Sequence, residues 1–267
     1  MREFRTPAVV VGIDGSKPAI YAALWAVDEA ISRDIPMRLV YVIDPLDPAV
    51  VGDHDGRQAA AATALHDARE AAESTGKTVK IETEILWGKP VTRLMEESRS
   101  AAMVCIGSIG LNHAVRGGGS VAATLGSSAL CPVAVINRPA DGTATPKVSG
   151  IVVGVDNGLV LRHAFEEARL RKVPLRAVSP HLPEAPDSTS DGNRLARTQL
   201  SRRIARWTRL YPDVRVESEI IGGSVKRYLA ANAGSDQLFV TESHECQDVC
   251  GAPDVRCSVL AIRCSNL

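Results

Sequence analysis

Apolar positions along the chain fall into two rhythms. Short unbroken runs of Val, Ile, Leu, Met and Ala occur at 8–13, 37–43, 103–106 and 133–136. Runs of that kind suit strands buried on both faces. Between them, Ala22, Ala23, Leu24, Ala26, Val27, Ala30 and Ile31 recur at helical spacing, which predicts a helix over 18–33. Ser16 is placed to cap it and Pro18 suits its first turn. An Ala-rich stretch predicts a second helix over 58–75, stopped by Gly76. The polar, glycine-containing stretch from Asp47 to Gln58 reads as a mobile loop before it. Residues 79–86 alternate apolar and charged positions, the period of a strand with one wetter face at a sheet edge. A helix over 88–100 with Val91, Leu94 and Met95 inward completes the set, followed by one over about 120–130. Strand and helix alternate throughout, which calls for parallel strands joined by right-handed crossovers.

The pattern then repeats. Residues 139–148 have the composition of a linker, and Val11-Gly12-Ile13-Asp14 returns as Val153-Gly154-Val155-Asp156. Pro36 returns as Pro174, Gly88 as Gly223 and Leu94 as Leu229. The expected organisation is two domains of one fold, 1–140 and 148–267, which the chain length readily accommodates.

The two halves differ in two places. From the Asp to the Pro after the first helix, the second half is shorter by about one helical turn. Farther on, Ser108 aligns with Ser243, Gly107 with Glu242 and Gly110 with Glu245, and the second half then lacks about nine residues of loop and helix. The glycines lie in 107–120, where a buried strand ends in a glycine-rich loop that feeds a helix N-terminus. Backbone N–H groups in such a loop and the first helical turn can hold phosphate. Carboxylates at the same positions in the second half would repel it. In sheets of this kind ligands sit at the C-terminal strand ends, where strand order reverses. If the first and fourth strands are neighbours, Asp14 and the glycine loop face one crevice.

These motifs, taken in order, resemble the universal stress protein family. The resemblance is carried by the N-terminal strand with Gly12-Ile13-Asp14-Gly15-Ser16, the Gly107-x2-Gly110 loop, Gly119-Ser120, and the closing Cys131-Pro132-Val133. The tandem arrangement is similar to two-domain members from mycobacteria and related actinobacteria. It implies two tandem Rossmann-like, adenine nucleotide alpha hydrolase-like α/β domains, each an open five-stranded parallel sheet flanked by helices, the second degenerate. It also implies ATP with Mg in the first domain only. Asp14 would hold the nucleotide or its metal, and backbone near Val42 would flank the adenine. Phosphates would lie on the N–H groups of Gly110 and Gly119-Ser120, with the Ser108 and Ser120 hydroxyls assisting and Gly12 and Gly107 beside them at the strand ends. ATP-binding members carry nine residues before the Gly-Ser/Thr pair, whereas here eight, 111–118, intervene. Keeping nine would bring Val121 into the site. His113 and Arg116 either reach phosphate oxygens or are solvated.

Composition narrows the function. Lys and Arg balance Asp and Glu, so nothing in the net charge argues for a nucleic-acid binder. Aromatics are scarce, so the core is aliphatic. No apolar run is long enough to span a membrane, and the reading is a cytoplasmic protein with reduced thiols. No catalytic residue and no protein metal site are assigned. The Gly-x4-Gly-Lys-Ser/Thr motif of fast NTPases is absent, which leaves at most slow ATP hydrolysis. The leading expectation is a regulatory ATP-binding protein of stress adaptation, of the low-oxygen or dormancy type that the resemblance implies. A non-nucleotide scaffold is the alternative, and a redox or metal sensor built on His244, Cys246, Cys250, Cys257 and Cys264 is a weaker one. Cys257 aligns with Cys131, where a cysteine packs as a small apolar residue. Partners expected are an adenine nucleotide, a regulatory protein, and a second copy or the other half through the last strands. The arginines between Arg194 and Arg209 read as the solvated face of a helix.

Overall fold

The computed structural model describes residues 6–46, 54–108, 121–137, 147–181, 191–250, 252 and 254–264. It separates into two compact units, 1–146 and 147–267. Unit 1 runs β1 (Val9–Ile13), α1 (Lys17–Ser32), β2 (Met37–Ile43), α2 (His54–Glu73), β3 (Ile81–Trp87), α3 (Pro90–Glu97), β4 (Met103–Gly107), α4 (Val121–Ser128) and β5 (Val133–Ile136). Its strands are all parallel, in the order β3-β2-β1-β4-β5. Unit 2 runs β6 (Gly150–Gly154), α5 (Gly158–Arg171), β7 (Leu175–His181), α6 (Asp191–Leu210), β8 (Val216–Gly222), α7 (Val225–Asn232), β9 (Gln237–Glu242), α8 (Ser243–Cys250) and β10 (Ser258–Ile262). Within it the order is β8-β7-β6-β9-β10, again parallel.

The aliphatic runs form the core. Val9, Val10, Val11, Leu39, Val40, Val104 and Ala134 are fully buried in unit 1, and Val153, Leu175, Val178 and Val240 in unit 2. A doubly covered parallel sheet explains why these strands show no alternation. β3 takes the edge position the sequence predicted but not the alternation: it runs from Ile81, Glu82 and Thr83 are both exposed, and the remainder is half-buried, because an end strand is less covered on both faces.

The second helix starts earlier than its pattern suggested. Residues 54–58 belong to α2, and 47–53 lie outside the described residues. Two contacts explain the extra turn. His54 stacks on Trp87 with ring centroids 4.5 Å apart, and Asp55 sits in the first turn, where the helix dipole favours an anion. Neither leaves an apolar period to read. In α3, Leu94 is buried while Val91 and Met95 are only half-covered.

The repeat extends to details no motif announced. Asp34 and Lys172, aligned between the halves, both take left-handed backbone at the exit of the first helix (φ 51° and 55°). Just before them, Glu29 and Glu167 are buried and pair one turn on with Arg33 and Arg171. Charges so buried persist only when paired.

Candidate functional site

Unit 1's strand order reverses between β1 and β4, which pair through Val9–Met103 to Val11–Cys105. Chain segments diverge at such a point and leave a crevice beyond the C-terminal strand ends. Asp14 follows the last residue of β1. Val42 is one residue from the end of β2, and its side chain is half-buried between buried Val40 and Ile43. Gly107 ends β4, and Ser108 continues the ladder by donating its N–H to Ile136 O at 2.9 Å. Val121 opens α4, the helix that returns from the C-terminal end of β4 to start β5. So Gly12, Asp14, Val42, Gly107, Ser108 and Val121 share one end of one sheet. Gly110, Gly119 and Ser120, with His113 and Arg116, lie outside the described residues.

The turn after β1 is tightly tied. The Asp14 carboxylate accepts the Ser16 N–H at 3.0 Å, and the buried Ser16 hydroxyl accepts the Ala19 N–H at 3.3 Å. Ser16 therefore caps α1. Asp14 holds the turn that leads to the cap, and its half-buried carboxylate stays at the strand end.

The two glycines of the strand ends have packing reasons of their own. A Cβ on Gly107 would fall 2.6 Å from the carbonyl carbon and Cβ of Pro18 and 2.9 Å from the Ala19 nitrogen. The first turn of α1 thus rests directly on the end of β4. A Cβ on Gly12 would meet Ile106 at 3.0 Å and Leu94 at 3.3 Å, so β1 is approached closely by β4 and α3. Neither approach could be inferred from the glycines alone.

The matching corner of unit 2 is built differently. Asn157 caps α5, accepting N–H groups from Leu159 at 2.8 Å and Val160 at 3.4 Å. Asp156 forms an ion pair with Arg203 of α6, a contact the sequence reading did not anticipate. Strand register sets Glu242 on Ile262 as it sets Gly107 on Ile136, which supports the alignment of Glu242 with Gly107. Glu242 lies 3.4 Å from His244 Nδ1, and Glu245 accepts a hydrogen bond from the buried Thr241 hydroxyl. β9 passes directly from Glu242 into the eight-residue α8 at Ser243, whereas in unit 1 the described part of α4 starts at Val121 and residues 109–120 lie outside the described residues. The apolar stripe of α8 still has a sheet to cover, and Cys246 and Val249 remain buried. The first helix shortens only from 16 residues in α1 to 14 in α5; the rest of the difference comes from the turns at its ends.

Cys246, Cys250 and Cys257 lie close together, while Cys264 stands apart beside Glu242. Cys246 is fully buried, and its hydrogen bond with Cys250 is the main influence raising the Cys250 thiol, with burial next. Burial pushes Cys131 and Cys257 up to about 12. Such thiols are protonated and poor nucleophiles at neutral pH. Among the described residues no group of three or more His, Cys, Asp or Glu side chains is placed to hold a metal ion. None of their helices is long and apolar enough to cross a membrane.

Two parallel five-stranded sheets, each with a strand-order reversal and helices as crossovers, define a tandem Rossmann-like α/β protein whose first unit carries a glycine-rich stretch of sequence after its fourth strand. The profile of the universal stress protein family matches residues 6–137. Universal stress protein Rv3134c of Mycobacterium tuberculosis H37Rv is 61% identical over 97% of both chains. A second from the same organism, Rv2028c, is 42% identical over 93% of this chain and 91% of its own. Among solved structures, a universal stress protein from Archaeoglobus fulgidus covers 98% of both chains with a TM-score of 0.68 at 14% identity, a likeness of fold. The chain belongs to the universal stress protein family, and its fold is the Rossmann-like, adenine nucleotide alpha hydrolase-like one.

Proposed function

We propose that unit 1 binds an adenine nucleotide, ATP, in the crevice between the C-terminal ends of β1 and β4, and that the protein is a regulatory factor of stress adaptation rather than a turnover enzyme. The observation that carries the proposal is the juxtaposition at the strand-order reversal. Asp14, the exit of β4 into the glycine loop, and the first turn of α4 share that end of the sheet. Glycine-loop N–H groups of Gly110 and Gly119-Ser120 and the α4 N-terminus would take the phosphates. Asp14 would meet the nucleotide or its Mg, and Val42 the adenine. Unit 2 takes no nucleotide, because Glu242 stands in place of Gly107 and the loop is missing. Without a P-loop lysine, the output is altered partner binding under low-oxygen or dormancy-type stress, and hydrolysis is slow at most.

One observation favours a second reading, a scaffold that binds no nucleotide. Gly107 is demanded by packing and Gly12 is closely approached by Ile106 and Leu94, so their presence needs no ligand. Calorimetry separates the two. Wild-type protein should bind about one ATP per chain, Asp14→Ala and Gly110→Ala should weaken it about tenfold or more, and Asp156→Ala should leave it unchanged. ATP released from denatured protein would agree with this. A wild type that binds no ATP sinks the nucleotide reading and leaves the scaffold.

A further inference from the structure

The two units diverge most in charge on the helix after their second strand. In unit 1 that helix, α2, carries Arg57 and Arg69 against Asp55, Asp67, Glu70 and Glu73. In unit 2 it is α6, with Arg194, Arg197, Arg202, Arg203, Arg206 and Arg209 against Asp191 alone. The fold does not require this, since α2 fills the same place without it.

The arginines of α6 are exposed, and they are not scattered evenly. Leu200 and Ile204 are buried and define the inner side. At about 100° per residue, Arg202, Arg206 and Arg209 fall opposite them, on the outer side. Among the described residues, Arg202 and Arg209 make no ion pair or hydrogen bond, and Arg206 only lies over the Trp207 ring. Arg203, on the flank, is engaged by Asp156. Leu195 falls on the outer side and Leu210 on the flank beside Arg203, and they are 61% and 56% exposed. The outer side and its edge thus combine unneutralised guanidinium groups with two large apolar side chains. Guanidinium groups bind carboxylates in a bidentate fork, and arginine is enriched where interfaces form.

We propose that the outer side of α6 is a docking surface for an acidic, leucine-bearing segment of another protein. Charge complementarity identifies the occupant, and the leucines set its class. A phosphodiester backbone has no use for Leu195 and Leu210, and a chain with no net charge has no long-range pull toward a duplex. A lipid surface fits poorly as well. The apolar stripe of α6 is spent on its own unit, and the two leucines stand ~22 Å apart, too far to form one wedge. The site lies in unit 2 and does not depend on nucleotide in unit 1.

Full-length protein tests it, by fluorescence anisotropy of a labelled synthetic helix with glutamates on one face and leucines between them, at about 0.15 M salt. The wild type should bind saturably. Arg202→Glu/Arg206→Glu/Arg209→Glu should weaken binding about tenfold or more, and the Lys triple should lose far less. Leu195→Ser/Leu210→Ser should weaken it severalfold with every charge retained. Circular dichroism checks that each variant folds; should the Glu triple fail, Arg206→Ala and the leucine pair carry the test. No saturable binding in the wild type, or equal binding by wild type and Glu triple, overturns the proposal. So does a duplex DNA or an anionic phosphatidylserine vesicle that binds more tightly than the peptide and is released by the same triple. Repeating the titration with ATP present should give the same affinity, so failure here leaves the nucleotide reading standing, and the reverse.

Discussion

The β4–α4 corner of unit 1 and the β9–α8 corner of unit 2 began as the same piece of fold and now do opposite things. In unit 1 the strand ends in a glycine pressed against Pro18 and runs on through Ser108, with residues 109–120 outside the described ones. In unit 2 the strand ends in Glu242 and enters its helix at once. The two sequence differences between the halves meet here. The lead-in to α1, Gly15-Ser16 before Lys17-Pro18, is reduced to Asn157 alone before α5. The unit with the longer lead-in brings Pro18 onto the strand end and must have glycine there; the unit with the shorter one carries a glutamate. Unit 2 is also looser at Gly154, where an added Cβ would meet nothing within 4 Å, in contrast to its counterpart Gly12. The two corners thus differ in more than the residue at the strand end, because the packing around that residue differs as well.

The comparison can be tested by matched substitutions, read separately because Trp207 is the one tryptophan of unit 2 while Trp25 and Trp87 report unit 1. The largest effect is expected at the buried ion pairs. Glu167→Ala removes the buried carboxylate that pairs with Arg171, whose side chain is 8% exposed, and should cost about 3–5 kcal/mol by urea unfolding. Glu29→Ala should cost clearly less, because Arg33 is 28% exposed and can turn to water. Equal losses would show that the two pairs are equivalent after all.

Next comes exchange of the strand-end residues. Gly107→Glu drives a side chain into Pro18 and should cost about 3 kcal/mol, whereas Glu242→Gly should cost about 1 kcal/mol, the entropy of a glycine at a strand end. If Gly107→Glu were tolerated, the packing account of that glycine would be wrong.

The smallest effect concerns the aligned cysteines, where the halves should agree. Their folded-state thiols are raised to about 12, above the usual value near 9. The unfolded chain therefore loses its protons first. Stability from these groups is fully present below pH 9 and falls as pH climbs from there toward 12, by at most ~1.4 kcal/mol per pH unit per thiol. Urea midpoints at pH 8 and 10.5, for the wild type and for Cys131→Ala and Cys257→Ala, should show each substitution flattening the fall in its own unit. A fall unchanged by either would assign it to other groups.

Much of this molecule could be read before the structure. Strands buried on both faces have no choice but to be aliphatic, so β1, β2, β4 and β5 were legible, and a second pass of the same motifs revealed the duplication. Asp14 and the glycine loop were placed at strand ends because a run of β-branched residues stops there. What could not be read depends on contacts between distant segments. The early start of α2 rests on His54 meeting Trp87. The pairing of Asp156 with Arg203 joins two elements with a strand between them, and no local pattern marks it.

The sequence by itself determined the α/β architecture, the tandem repeat, the family, and which half retains a glycine loop, because periodicity and short motifs are properties of neighbours in the chain. Only the tertiary structure decided that β1 lies beside β4, so that Asp14 and the loop's root share one crevice. It alone decided that Gly107 is glycine because Pro18 needs the space, and that in unit 2 β9 enters α8 directly. Those facts depend on which surfaces touch after folding, and close packing enforces them without leaving a period in the sequence.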